Sequence, residues 1–188
     1  MRRGRLFVIS SPSGGGKSTV IRSLLKKIPE LGYSVSATTR PPRNGEENGV
    51  HYFFMSAEEF QKKVDDDAFM EWKEVHGHRY GTLKKPVEKM LERGQSVLLD
   101  IDVQGGLCLK STQQDTVLVF IMPPSVQVLE KRLRERGTDS GEVIQKRLEA
   151  ARCEMGSAGQ YDFQVINQDL NTCVKEISVI IHQYQNHK

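Results

Sequence analysis

A chain of 188 residues suffices for one domain that buries about 70 % of its unfolded surface, which excludes a dependence on disulfide or metal staples. With 27 % charged residues, 37 % hydrophobic ones and a formal net charge of +3, the composition is that of a soluble globular protein, and the slight basic excess does not choose between small anionic ligands and nucleic acid. The three cysteines, Cys108, Cys153 and Cys173, form no C-x-x-C pair, and no apolar run approaches the ~18 residues of a membrane span, so the chain reads as a cytoplasmic protein with reduced thiols.

In chain order, MRRGR leads into LFVIS (Leu6 to Ser10), a continuous apolar run typical of a strand covered on both faces, and not into the apolar core of a signal peptide. The stretch SPSGGGKS follows. Val20, Ile21, Leu24, Leu25 and Ile28 then recur at helical period until Pro29 ends the pattern. From about Tyr33 to Thr82 the chain turns polar, with turn signals in RPPRNGEENG between strand-like pieces at YSVSATTR and HYFFM. Ser56 and Glu59 have the spacing of a capping box within this region, which reads as a small inserted subdomain. Pro86 opens a helix closed by Gly94, and SVLLDI (Ser96 to Ile101) and VLVFIM (Val117 to Met122) are further buried strands. A charged helical pair spans about Ser125 to Glu154, its first helix capped by Ser125 and closed by Gly137. FQVIN (Phe163 to Asn167) and a helix from about Asn171 to Tyr184 complete the chain. This alternation predicts an α/β domain with a mostly parallel sheet.

SPSGGGKS departs from the phosphate-loop pattern G-x-x-x-x-G-K-[ST] only at Ser11, which stands where that pattern has its first glycine. A phosphate loop needs a strand before it, a helix after it, glycines where the backbone approaches the anion, and a lysine at the helix start. LFVIS, TVIRSLL, Gly14 to Gly16 and Lys17 supply all four, whereas a Ser/Gly linker would not be flanked in this way. Ser11 replaces the glycine farthest from the helix, where the residue shapes the turn. Backbone N–H groups of Gly14 to Ser18 are expected on the phosphates, Lys17 on the terminal pair, and the Ser18 hydroxyl in a magnesium shell.

GTPases, ATPases, motors and small-molecule kinases share such a loop. The N-K-x-D that reads guanine in a GTPase is absent here. A kinase needs a second anionic site. Arg40 and Arg43, in a loop stiffened by prolines, can clamp a monophosphate together with Tyr52 and Tyr80, because guanidinium forks and phenol hydroxyls are donors that suit it. On these residues alone, a solvated basic loop beside two core tyrosines is an equal alternative.

VSATTRPPRNGEENGVHYFF, FMEWKEVHGHRYGT, LLDIDVQGG and KRLRERGTDSGEVIQKRLEAA resemble, in order and over nearly the whole chain, the signature segments of guanylate kinases, which phosphorylate GMP with ATP. The resemblance implies a P-loop NTPase-type three-layer fold in one domain: a core at 1–32, 83–123 and 156–188, a GMP-binding insert at 33–82 and a helical lid at 124–155. It places ATP on Ser11, Pro12, Ser13, Gly14, Gly15, Gly16, Lys17, Ser18 and Thr19, with Arg132, Arg136 and Asn167. It also places the GMP phosphate on Arg40, Arg43, Tyr52 and Tyr80, and the guanine on Ser36, Glu71, Thr82 and Asp102. Chemistry supports the guanine set: one carboxylate such as Glu71 accepts both N1–H and N2–H, while the N1 acceptor of adenine would leave it unpaired. The hydroxyls of Ser36 and Thr82 can donate to O6.

LLDID ends a buried strand with two carboxylates, which in an open α/β sheet fall at the ligand crevice. Asp100 is expected in the magnesium shell, directly or through water, and Asp102 at the guanine; a bare role as helix caps is the alternative. Arg132 and Arg136 share a helix face, and Arg147 on the next helix, itself also a GMP ligand, would join them and Lys17 in neutralising the phosphates during transfer. The expected reaction is direct in-line transfer from Mg-ATP to GMP or dGMP. A silent phosphopeptide-binding module is opposed by Lys17, Ser18, Asp100 and the arginines, and a kinase for another monophosphate by Glu71 and Asp102. Thr82 stands for a more usual serine. Lys131, Arg134 and Lys146 read as solvated charges, His76 and His78 as loop histidines, and Trp72 as core. No nucleic-acid or membrane partner is expected, and the oligomeric state stays open.

Overall fold

Five consecutive residues, Leu6–Ser10, are buried without interruption because the strand they form, β1, lies between two helical layers. Phe7 and Ile9 face one layer and pack with Val20, Ile21 and Leu24 of α1 (Lys17–Lys27) and with Val174 and Ile177 near the C-terminus. Leu6 and Val8 face the other and pack with Val87 and Leu91. The computed structural model describes residues 3–75, 77–135 and 140–186.

Beyond α1 come β2 (Gly32–Ser34), β3 (Ala37–Thr38), β4 (Phe53–Phe54), α2 (Ala57–Asp65), β5 (Phe69–Val75), β6 (His78–Leu83) and α3 (Lys84–Glu92). Then follow β7 (Val97–Asp100), α4 (Val103–Thr112), β8 (Val117–Met122), α5 (Val126–Glu135), α6 (Gly141–Gly156), a 3-10 turn (Ala158–Gln160), β9 (Phe163–Ile166) and α7 (Leu170–Asn186). The main sheet has the order β2-β7-β1-β8-β9, with every neighbouring pair parallel. The three-layer α/β architecture expected from the sequence is thus observed.

A second sheet, ordered β4-β3-β6-β5, is built within the polar region. Its antiparallel β5–β6 hairpin and the parallel β3–β4 pair enclose a small core of Ala37, Phe60 and Phe69, with the two phenyl rings stacked at 4.4 Å. The chain leaves the main sheet at Ser34 on the edge strand β2 and rejoins it at Val97 on the adjacent β7, so both joints lie at one edge. Tyr33 and Ser34 pair with Leu98 and Leu99 and so belong to the main sheet, two residues past the expected boundary. The helical pair α5–α6 has its own apolar contact of Leu129, Leu133, Ile144, Leu148 and Ala151.

Several local expectations are met by specific bonds. Ser56 Oγ accepts from the Glu59 N–H at 3.1 Å while Glu59 Oε2 accepts from the Ser56 N–H at 2.8 Å, completing the capping box. Ser125 Oγ accepts from the Val128 N–H at 3.2 Å, whereas Gly137 lies outside the described residues. Helix α3 begins at Lys84, so Pro86 sits in the first turn, where a missing N–H costs no helical bond. Trp72 departs from the core reading: it is 44 % exposed, edge-on to Phe60, with the Arg79 guanidinium over its ring. No helix among the described residues is long and apolar enough to cross a membrane.

Candidate functional site

Between β1 and α1 the backbone turns through two left-handed glycines, Gly14 at φ 89° and Gly16 at φ 90°. Conformation alone disfavours a side chain at Gly16, and a Cβ there would also lie 2.4 Å from Asn167 Nδ2. Ser11 is buried and its Oγ donates to the Pro12 carbonyl at 3.2 Å, in keeping with a turn-shaping role, while the Gly15 N–H donates to the same carbonyl at 2.8 Å. The loop is tied down from the far side of the sheet. Asn167, just after β9, donates from Nδ2 to the Gly15 carbonyl at 2.9 Å, and its own carbonyl accepts from Arg132 Nη2 at 3.0 Å. Arg132 Nη1 is buried with no hydrogen-bond partner among the described residues, an orphaned cationic donor in the cavity it shares with Gly14, Gly16, Thr19 and Asn167. Ser13, Ser18 and Thr19 are exposed to solvent.

Across from the loop, β7 delivers two carboxylates. Asp100 Oδ1 holds Lys17 Nζ at 2.6 Å, and that ammonium also donates to the Ile101 carbonyl at 3.1 Å. Asp102 caps α4, accepting from the Gly105 N–H on Oδ1 at 3.0 Å, and its Oδ2 pairs with Lys73. Capping and facing the cleft are therefore both duties of Asp102.

Glu71 approaches from the second sheet. Its Oε1 accepts the Thr82 hydroxyl at 2.6 Å, and Thr82 is its cross-strand neighbour. A Cβ on Gly105 would stand 3.0 Å from Glu71 Oε2 and 3.7 Å from Asp102 Oδ1, so both carboxylates converge on that glycine. Burial pushes the Glu71 carboxyl above its ordinary 4.5, with the Thr82 hydrogen bond and the charge of Lys73 pulling it back.

Arg40 is pre-positioned by its own loop. Nη2 donates to Glu46 Oε1 at 2.8 Å, Nη1 to the Pro41 carbonyl at 2.8 Å, and the guanidinium lies 5.4 Å above the Tyr52 ring. Glu46 also accepts the Arg43 N–H at 2.7 Å, and the Arg40 hydrogen bond leads in depressing its carboxyl to about 2. Tyr52 and Tyr80 meet edge to face at 6.0 Å. Burial raises the Tyr52 phenol, with Asp100 adding to the effect. Ser13 and Lys17 of the loop, Ser36 and Tyr52 just before β3 and β4, Glu71 and Tyr80 of β5 and β6, and Asp100 and Asp102 of β7 and its exit all line one opening of about 410 Å³.

Both the sequence and the fold that carry this cleft have counterparts among known proteins. The family model described as guanylate kinase matches residues 3–184. The chain belongs to the guanylate kinase family. The guanylate kinase of Carboxydothermus hydrogenoformans is 46 % identical over 181 residues, covering 96 % of this chain and 89 % of the relative. That of Zymomonas mobilis is 51 % identical over 181 residues, covering 96 % and 84 %. The crystal structure of guanylate kinase from Anaplasma phagocytophilum superposes with a TM-score of 0.82 at 33 % identity, covering all of this chain and 89 % of that one.

Within this guanylate kinase framework Ser13 and Lys17 of the loop, Asp100, Asp102, Glu71, Ser36, Tyr52 and Tyr80 line one opening, Thr82 is buried behind Glu71, and Arg40 stacks on Tyr52 and Phe54. Arg43 is exposed in the adjoining loop and Arg147 lies partly buried on α6. Arg136 and His76 lie outside the described residues. The single Thr82 proton is directed at Glu71, so in this arrangement Thr82 holds the carboxylate in place and does not offer a donor to O6.

Two cleft residues escaped sequence reasoning. Lys73 lines the opening beside Glu71 and Asp102, and Glu154, in the charged helical pair, lines the cavity of the loop. The only available signal for Lys73 was its i+2 spacing from Glu71, which puts both side chains on one face of a strand.

Proposed function

We propose that this guanylate kinase-family enzyme transfers the γ-phosphoryl group of ATP to GMP, giving GDP and ADP, with dGMP as a second acceptor. The observation that carries this reading is the single opening lined by both the phosphate loop and the Glu71–Asp102 pair. A catalytically silent peptide-binding module is not favoured, since Lys17, Ser18 and Asp100 are all present at the loop.

ATP would lie with its phosphates on the N–H groups of Gly14 to Ser18 and its base side near Asn167, and the unpartnered Arg132 Nη1 supplies a ready donor for it. Lys17 would exchange Asp100 for the terminal phosphates. GMP would place its phosphate among Arg40, Arg43, Tyr52 and Tyr80, and its N1–H and N2–H on Glu71 and Asp102, with Ser36 at O6. The two substrates then face each other in line. An oxygen of the GMP phosphate bonds to Pγ as the bond to the β,γ-bridging oxygen breaks, and Lys17, Arg132, Arg136 and Arg147 hold the charge that moves onto ADP.

The exposed Ser18 hydroxyl and the Asp100 carboxylate are hard oxygen donors of the kind magnesium takes alongside substrate phosphates, and they are the residues that would hold it. When bound with ATP, magnesium supplies neutralisation of the β- and γ-phosphate oxygens. The second sheet acts in this reading as the GMP-binding insert and the α5–α6 pair as a lid that excludes water. Three free thiols suit the reducing cytoplasm, where purine nucleotides are interconverted.

The test is ADP release coupled to NADH oxidation, with Mg-ATP and GMP, AMP, CMP, UMP or dTMP in turn. Turnover with GMP alone is expected. Preference for another monophosphate would remove the roles of Glu71 and Asp102, and GMP binding without turnover would favour the silent module.

A further inference from the structure

We infer that Lys73 is a partner-switching positioning residue: when guanine enters, it passes from Asp102 to Glu154 and so draws the end of α6 toward the acceptor pocket. This rests on the reading of Asp102 as a guanine ligand. Both oxygens of Asp102 are occupied in the free chain, Oδ1 by the Gly105 N–H at 3.0 Å and Oδ2 by Lys73. A guanine N–H aimed at Asp102 competes with that ammonium for the same carboxylate, and its arrival weakens the hold on Lys73. Glu71, the leading attraction on Lys73, already divides its oxygens between the Thr82 proton and the guanine site, so it gains no further hold on the ammonium when guanine binds.

The next carboxylate along the same face is Glu154. Residues 71, 73 and 75 alternate onto one side of β5; Lys73 and Val75 line the acceptor opening, while Val75 and Glu154 line the adjoining phosphate-loop cavity. Ser13 and Lys17 line both. Glu154 Oε2 is buried with no hydrogen-bond partner among the described residues, a desolvated acceptor that gains from an arriving donor. The groups acting on Glu154 are the Ser13 N–H and Lys17 from the loop side and Lys73 from β5, and their attraction works against a burial that raises its carboxyl. Glu154 lies near the end of α6, which shares an apolar contact with α5, the helix that carries Arg132. A pull on Glu154 is thus transmitted to the arginine beside the phosphate loop.

Calorimetric titration of GMP into the full chain, with and without a non-hydrolysable ATP analogue and magnesium, tests the switch in wild type, K73M, E154Q and the double variant. In wild type the analogue should tighten GMP by about 10-fold, within the usual range of coupling between two sites. K73M should bind GMP alone as well as wild type or a few-fold tighter, because no cation has to leave, but lose the coupling and about 10-fold in kcat. E154Q should lose the same coupling, the double variant should lose no more, and K73R should restore it. A weaker GMP affinity in K73M with the coupling intact, or additive losses in the double variant, would overturn the switch while leaving the kinase reading in place. A wild-type chain that neither binds nor phosphorylates GMP would overturn the functional reading itself and the switch with it.

Discussion

The Glu71 carboxyl is pushed above its ordinary 4.5 by burial, and only its ionised form accepts N1–H and N2–H of guanine together. Lowering the pH through this raised value protonates it, so the KM for GMP should rise on the acid side at a higher pH than an ordinary glutamate would give, while the KM for ATP stays flat. Fold stability responds in the opposite sense: the folded state holds the proton more tightly, so this group's contribution is greatest at low pH and falls as pH rises through the raised value. Glu71→Gln keeps the shape and removes the charge. It should weaken GMP by about 10–100-fold, the cost of replacing a charged acceptor by a mismatched amide, and leave ATP binding unchanged in a paired titration. Lys17→Ala should lower ADP release at least ~10²-fold, since no other ammonium is held at 2.6 Å from Asp100 among the described residues. Lys17 was legible from the fixed spacing of its loop, while Glu71 and Asp102 were assigned through the family resemblance and the donor pattern of guanine. Lys73 was not legible, because a lysine in a polar strand looks the same in sequence whether it meets water or a carboxylate.

Strands β1 and β8 coincide with the sequence reading because a continuous apolar run admits only one placement when both faces are covered. The β5–β6 hairpin was less visible: the cleft face of β5 carries Glu71 and Lys73, so the alternation of a half-buried strand gives way to polar residues where the ligand belongs. β2 was only partly visible, since the strand-like piece YSVSATTR covers Tyr33 and Ser34 but runs them together with β3. It is a three-residue edge strand beginning at Gly32, where a Cβ would lie 2.9 Å from Met90 Sδ, so its signal is close packing and not side-chain pattern. Helix α2, by contrast, was announced by Ser56 and Glu59, and both reciprocal bonds are formed. Ser56→Ala should cost about 1 kcal/mol in urea denaturation, with the loss read as a lower midpoint at unchanged slope.

At the scale of the whole molecule, two sheets with separate apolar cores meet at one cleft. A ligand bound there stabilises every part that folds to make the cleft. GMP at about 100 times its Kd should add about 2.7 kcal/mol to wild type, seen as a rise in Tm, and should add far less to Glu71→Gln at the same concentration. The second sheet departs from and returns to a single edge of the main sheet, through β2 and β7, while the phosphate loop follows the central β1. In the proposed reading the acceptor-recognising piece is therefore spliced into the chain at two neighbouring strands, apart from the strand that carries the donor loop. Among the proposed guanine ligands Asp102 alone lies outside the 33–82 segment, after β7 of the main sheet, and because it also caps α4, a change there touches base recognition and the core together.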